Sequence, residues 1–272
     1  VLGGVGTILV RASSRSLTPL LTFMIFAGVL ASALFCLPNS AIHTIASVYE
    51  GETQHNYIRV VDQGARRLLL LNEGIAQHSA IHLDGSPYFD GPWGHYIAAA
   101  GLPKQVPSRF LVVGLGAGTT AGYFATRLPN AHVVGVELDP GVVEVARTYF
   151  NLPKSIDVHI GDARTFVEAD RDMYDLIVVD AFQFPYTPFQ LTTREFFAAV
   201  KKHLSPGGAL AMNVGRKGRN LDLVYAVSST LGTVFTNVNS TDVNSDTNTV
   251  VVATDHPLTE SIGISNIGLP PA

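Results

Sequence analysis

The chain has 272 residues, 47% of them hydrophobic, and a formal net charge of −4. This is enough apolar content for one α/β domain with an accessory segment, and the acidic balance gives no electrostatic reason to expect nucleic acid as a partner. Cys36 is the single cysteine, so no internal disulfide or thiolate cluster is available; the nine histidines are scattered, and no metal site is expected.

The first element is an apolar run without charge from Leu17 to Pro38, about the length of a helix that crosses a bilayer. Arg11 and Arg15 precede it and favour a cytoplasmic start. A single span would then carry the rest of the chain outside the cytoplasm, so a cytoplasmic domain requires earlier spans. A secretory signal ending near Asn39-Ser40-Ala41 and a buried core helix are the rival readings. Residues 1–40 are thus expected to be a membrane-spanning or signal-like segment, with membrane contact through residues 17–38. The expected location is the cell membrane with a cytoplasmic catalytic domain, or otherwise the cytoplasm.

Residues 45–104 read as a small antiparallel β unit. Strands are expected at Tyr57–Val61, Arg67–Leu71 and Gly74–Gln77, broken by turns at Asp62-Gln-Gly64 and Asn72-Glu-Gly74. A loop rich in Gly, Pro and aromatic residues follows, from Asp84 to Tyr96, and leads to a short helix at Ile97–Ala100. In it His95 could face a ligand or pack on aromatics, and Tyr88, Phe89 and Trp93 could line an apolar wall or cover the sheet.

From residue 105 to 258 strand and helix signals alternate. Strands are expected at 110–114, 132–137, 156–160, 175–180, 208–213, 233–238 and 248–254, with helices near 118–128, 141–150, 163–169, 192–203 and 219–231. The fold class is therefore α/β, a doubly wound, seven-stranded, Rossmann-like sheet with an antiparallel edge hairpin. Residues 259–272 read as a flexible tail.

The first of these strands ends in Gly114-Leu-Gly116-Ala-Gly118, and the second ends in Glu137. Closely spaced glycines permit a tight strand-to-helix turn and a close backbone approach. A carboxylate about twenty residues further on can accept the hydroxyl protons of a ribose. Ligands in such sheets bind beyond the carboxyl ends of the strands, where Gly114, Glu137, Asp162 and Asp180 all fall.

Taken in order, these segments resemble the spermidine synthase (polyamine aminopropyltransferase) family, which shares its sheet with the adenosylmethionine-dependent methyltransferases. The resemblance spans roughly residues 49–213, and a membrane-associated, divergent member is the reading that fits both ends of the chain. It implies that Asn56 and Gln77 contact the nucleoside, that Gly114, Gly116 and Gly118 form the cofactor loop, that Glu137 holds the ribose, and that Asp162 and Ala163 meet the adenine. Asp180 would be the carboxylate that orients and deprotonates an amine. Two positions depart from the family. Gln183 stands where a second aspartate is usual, and Ala117 stands where an aspartate of the glycine loop is usual. Glutamine can hydrogen-bond an amine but cannot take its proton, and Ala117 removes one reason to reject intact adenosylmethionine. The implied activity is transfer of an aminopropyl group from decarboxylated S-adenosylmethionine to an amine or polyamine, with the nucleoside a co-substrate and no tightly bound cofactor. The alternatives are an S-adenosylmethionine-dependent methyltransferase and a non-catalytic nucleoside-binding module. A homodimer is a further expectation of the resemblance.

Overall fold

The computed structural model describes residues 47–72, 77–181, 187–216, 218–243, 247–263 and 266, all of them in the unit Ser47–Ala272. The apolar run 17–38 and Gln183 lie outside the described residues. Among the described residues, no helix is long and apolar enough to cross a membrane.

Four strands form the first sheet: β1 (Ser47–Glu52), β2 (Tyr57–Gln63), β3 (Arg66–Leu71) and β4 (Gln77–His82), antiparallel and in chain order. The strand expected at 74–77 is instead β4, which begins at Gln77; residues 73–76 lie outside the described set. Its polar sequence hides it, because it is held by packing rather than by apolar alternation: Ser79 and Ala80 are buried and hydrogen-bonded to Ala117 and Thr119. Helix α1 (Pro92–Ala99) starts five residues before the expected 97–100. Pro92 at its first turn carries a preset φ and no donor to leave unpaired.

The second sheet holds β5 (Arg109–Val113), β6 (His132–Glu137), β7 (Asp157–Ile160), β8 (Tyr174–Val179), β9 (Leu204–Gly215), β10 (Asn237–Asp242) and β11 (Asn248–Thr254). Its order is β10-β11-β9-β8-β5-β6-β7. The pairings from β9 through β7 are parallel, and β11 and β10 run antiparallel at one edge, as expected of the hairpin. Helices α2 (Thr119–Arg127), α3 (Pro140–Tyr149), α4 (Ala163–Ala169), α5 (Arg194–Lys202) and α6 (Asp222–Gly232) complete the crossovers. One strand is shifted: β10 occupies 237–242, not 233–238. The apolar residues that suggested the earlier start do other work. Phe235 is buried in the core beyond the end of α6, and the edge strand itself is polar.

Alternation divides the core cleanly. Phe110 and Val112 of β5, Leu176 and Val178 of β8, and Ala209 and Ala211 of β9 join a cluster with α1, α2, α3 and the first sheet. Leu111, Val113, Ile177, Val179, Leu210 and Met212 join the opposite cluster with α5 and α6. Continuing the two-residue period places Glu137, Asp180 and Asn213 on the face that carries α1 and the first sheet.

Candidate active site

The chain leaves β5 for β6 and β7 on one side, then returns to β8 on the other, so the order reverses between β5 and β8. Ligand crevices form at such a reversal. Gly114 follows β5 and Asp180 follows β8, and the Asp180 amide donates to the Val113 carbonyl at 2.8 Å. Gly114 has φ 84°, and a Cβ on it would sit 2.6 Å from the Asp180 carbonyl and the Ala181 nitrogen. Only glycine combines that conformation with that approach.

The rest of the loop is held by the first sheet. Ala117 N donates to Ser79 Oγ at 2.9 Å, and a Cβ on Gly116 would lie 2.7 Å from the same oxygen. Thr119 Oγ1 donates to the Ala80 carbonyl at 2.9 Å, and the Ala80 amide donates back to it at 3.0 Å. A Cβ on Gly118 (φ 85°) would meet Leu152 Cδ1 at 2.2 Å. The three glycines are thus required by β8, β4 and the segment after α3, before any ligand is considered.

Glu137 ends β6 beneath this loop. Its Oε2 accepts from Gly116 N at 2.8 Å and its Oε1 from Asp139 N at 3.1 Å. Burial pushes its carboxyl up, opposed by these backbone N–H groups. Each oxygen keeps acceptor capacity for a ribose hydroxyl. Asp162 caps α4, with Oδ1 accepting from Thr165 N at 2.8 Å, and Ala163 is the first residue of that helix. Both stand at the carboxyl end of β7, beside Glu137 in the sheet order.

Asn56 and Gln77 have partners within the protein. Asn56 Nδ2 donates to Asp139 Oδ2 at 2.8 Å, and Thr53 Oγ1 donates to the same oxygen at 2.6 Å. Asp139 is 0% exposed and its Oδ1 caps α3 through Gly141 N at 2.9 Å. This carboxylate therefore latches the β1–β2 turn to the residue two beyond Glu137. Gln77 Nε2 donates to Tyr88 Oη at 3.0 Å, which orients the aromatic loop against β4. Tyr88 and Trp93 pack edge to face at 5.6 Å and are buried, so both belong to the core under α1. His95 bonds locally, its Nδ1 lying 3.3 Å from the Gly91 carbonyl.

Asp180 is surrounded by neutral groups that sequence motifs do not reveal. Asn213, at the end of β9, donates from Nδ2 to Asp180 Oδ1 at 3.0 Å. Asn248 of β11 donates in turn to Asn213 Oδ1 at 2.9 Å. The Tyr96 hydroxyl, from α1, faces the same carboxylate without a completed hydrogen bond and without solvent. Burial pushes the Asp180 carboxyl up to about 7, against the donors that pull it down. The register could have found Asn213, since it lies one residue past the pairing of Val179 with Met212. A carboxylate titrating near neutrality can both bind an ammonium and accept a proton from it.

His78 and His82 stand four residues apart but on strand β4, which separates them by about 13 Å. Among the described residues, no group of three or more His, Cys, Asp or Glu could hold a metal ion.

Comparison with known proteins agrees with this geometry. A methyltransferase domain family matches residues 110–208. A probable polyamine aminopropyl transferase of Bifidobacterium longum is 30% identical over 258 residues, covering 87% of this chain and 57% of that protein. The chain spans about half the length of the curated relatives it matches. Among solved structures, a probable spermidine synthase from Corynebacterium glutamicum superposes with a TM-score of 0.68 at 24% identity, over 76% of this chain and 80% of that one. A spermidine synthase in complex with the transition-state analogue AdoDATO gives 0.64 at 16%, over 82% and 85%. These two establish the fold, an α/β methyltransferase-like sheet with a small antiparallel sheet before it. The Bifidobacterium match extends well beyond the methyltransferase portion, so over most of its length the chain is similar to a polyamine aminopropyltransferase.

Proposed function

We propose that this chain is an aminopropyltransferase-like enzyme that moves the aminopropyl group of decarboxylated S-adenosylmethionine to an amine or polyamine. The observation that carries the reading is Asp180, a half-buried carboxylate titrating near neutrality on the same sheet face as Glu137, across the β5–β8 crevice from the glycine loop.

The chemistry asks little acid of the protein, because a sulfonium already leaves well. An acceptor ammonium first gives one proton to Asp180. The freed nitrogen pair then forms the C–N bond, the C–S pair returns to sulfur, and methylthioadenosine departs as a neutral thioether. The product nitrogen keeps the positive charge that sulfur loses. Holding the amine in line is the larger contribution. In this reading Asp180 orients and deprotonates the amine, Gln183 supplies an amide contact, and Asn213 holds Asp180 in place. Glu137 binds the ribose; Asp162 and Ala163 border the adenine; Gly114, Gly116 and Gly118 shape the loop. Asn56 and Gln77 act from the first sheet, by holding Asp139 and Tyr88. The nucleoside enters and leaves as a co-substrate.

Purified protein given decarboxylated S-adenosylmethionine and putrescine is expected to release methylthioadenosine. No product with any diamine or polyamine acceptor overturns the reading. A second reading, methyl transfer from intact S-adenosylmethionine, is favoured by Ala117, whose buried side chain leaves the loop without a carboxylate to select against the cofactor's own. Calorimetric titration with the two nucleosides separates them. The uncharged run 17–38 supports attachment of the enzyme to the cell membrane, tested by fractionation of cells expressing the full chain. Sedimentation equilibrium of the purified protein tests the expected homodimer.

A further inference from the structure

The Tyr96 hydroxyl is a buried polar group that faces the Asp180 carboxylate. The residue is 0% exposed on α1, and its oxygen approaches Asp180 without closing a hydrogen bond of full geometry. Native proteins rarely leave such a group unmet unless another state of the molecule uses it.

Its surroundings are fixed by register. Asp180, Asn213 and Asn248 follow Val178, Ala211 and precede Val250 at two-residue spacing, and all three of those apolar residues belong to the core cluster that contains Tyr96. Three adjacent strand ends therefore present Asp180, Asn213 and Asn248 to the face on which α1 lies. The Asn213 amide has no freedom to turn: its Oδ1 accepts from Asn248, so its Nδ2 must serve Asp180 Oδ1. One carboxylate oxygen is thereby assigned. The groups that act on the Asp180 charge are Tyr96 from α1 and Asn213 from β9. Behind them β11 offers the neutral Asn248, and the β5–α2 loop offers the Gly114 backbone. Among the described residues acting on it there is no cation.

We infer that the Tyr96 hydroxyl is the second donor to Asp180: it closes on the carboxylate when that group is ionised, and so fixes the edge that Asp180 presents to an incoming amine. Tyr96 is a positioning residue, acting through Asp180 rather than on the substrate. The inference deepens the aminopropyltransferase reading and rests on it for the identity of the amine, but the Tyr96–Asp180 relationship itself can be tested in the protein alone.

The test compares wild type with Tyr96→Phe in two experiments. The first follows the carboxyl carbon of Asp180 by NMR in protein labelled with ¹³C-aspartate and assigned through Asp180→Asn, across pH 5–9. The second measures the pH profile of kcat/KM for putrescine with decarboxylated S-adenosylmethionine saturating. Loss of a donor to an ionised group is expected to raise the Asp180 midpoint by about one unit. The acidic limb of the profile should move with it, so that turnover below the midpoint falls about tenfold. At pH 5, where Asp180 is protonated and does not need the donor, melting temperature should stay level or rise, whereas a merely structural tyrosine would lower it there and leave the pH profile in place. A raised midpoint in a protein with no transferase activity overturns the function reading and keeps the role of Tyr96. An unchanged midpoint overturns the inference, whatever the activity.

Discussion

Asn213 Nδ2 donates to Asp180 Oδ1 at 3.0 Å, with its own carbonyl oxygen held by Asn248 at 2.9 Å. The pair joins β8 to β9 at their carboxyl ends and leaves a half-buried carboxylate supported by a neutral amide. Asn213→Ala removes that donor and strands both Asp180 and Asn248. The expected cost is ~1–3 kcal/mol of stability, read as a lower urea midpoint. The acidic limb of the pH profile should move upward, because the ionised carboxylate loses a hydrogen bond.

Asp180 also sets a pH dependence of stability. Its folded pKa, about 7, lies above the ordinary 3.8, so between these values the folded state holds the extra proton. Stability therefore falls as pH rises through that window, and the penalty is complete above it. Asp180→Asn removes the charge. The variant should match wild type near pH 4 and exceed it by ~2–4 kcal/mol at pH 8. Denaturant titration at the two pH values checks this, and an equal difference at both would contradict it.

Glu137 makes a different prediction. Both its oxygens already accept backbone N–H groups, and burial raises its pKa. Nucleoside affinity should decline as pH falls through the folded pKa, since the protonated acid loses acceptor strength. Glu137→Gln should weaken nucleoside binding about 10- to 100-fold, the worth of charge-assisted hydrogen bonds to ribose. Calorimetric titration with methylthioadenosine reads it.

Gly114→Ala tests the crevice. The added Cβ meets backbone at 2.6 Å rather than a side chain that could move aside, at a φ of 84°. A loss of at least ~2 kcal/mol is expected, with Asp180 displaced and nucleoside binding impaired together. Gly64→Ala is the control for strain alone: its φ is also positive, 61°, but nothing lies within 4 Å of the new Cβ.

The second sheet is legible in the chain where β5, β6 and β8 are buried on both faces and read as apolar runs ending in glycine or acid. Phe110–Val113 with Gly114, and Val133–Val136 with Glu137, are examples. Legibility fails where packing by other parts of the chain does the work. β4 is polar and is held by Ser79 and Ala80 on the glycine loop; β10 is a polar edge, and Val234 and Phe235 fill the core instead. The same division runs through the site. Glu137 and Asp180 announce themselves as acids at strand ends. Asn213, Asn248 and Tyr96 are ordinary residues until strand register brings them beside Asp180. Asn56 illustrates a subtler point, since its amide serves Asp139, and the latch depends on a turn 83 residues away in sequence.

The most direct test of the account is transfer itself. Wild type and Asp180→Asn are incubated with decarboxylated S-adenosylmethionine and putrescine, and methylthioadenosine is measured beside direct nucleoside affinity. The account predicts methylthioadenosine in step with aminopropylated amine from wild type, and a fall of about 10²-fold or more in the variant at nearly unchanged nucleoside affinity. Equal turnover by the two proteins, or methyl transfer from intact S-adenosylmethionine with no aminopropyl transfer, would contradict it.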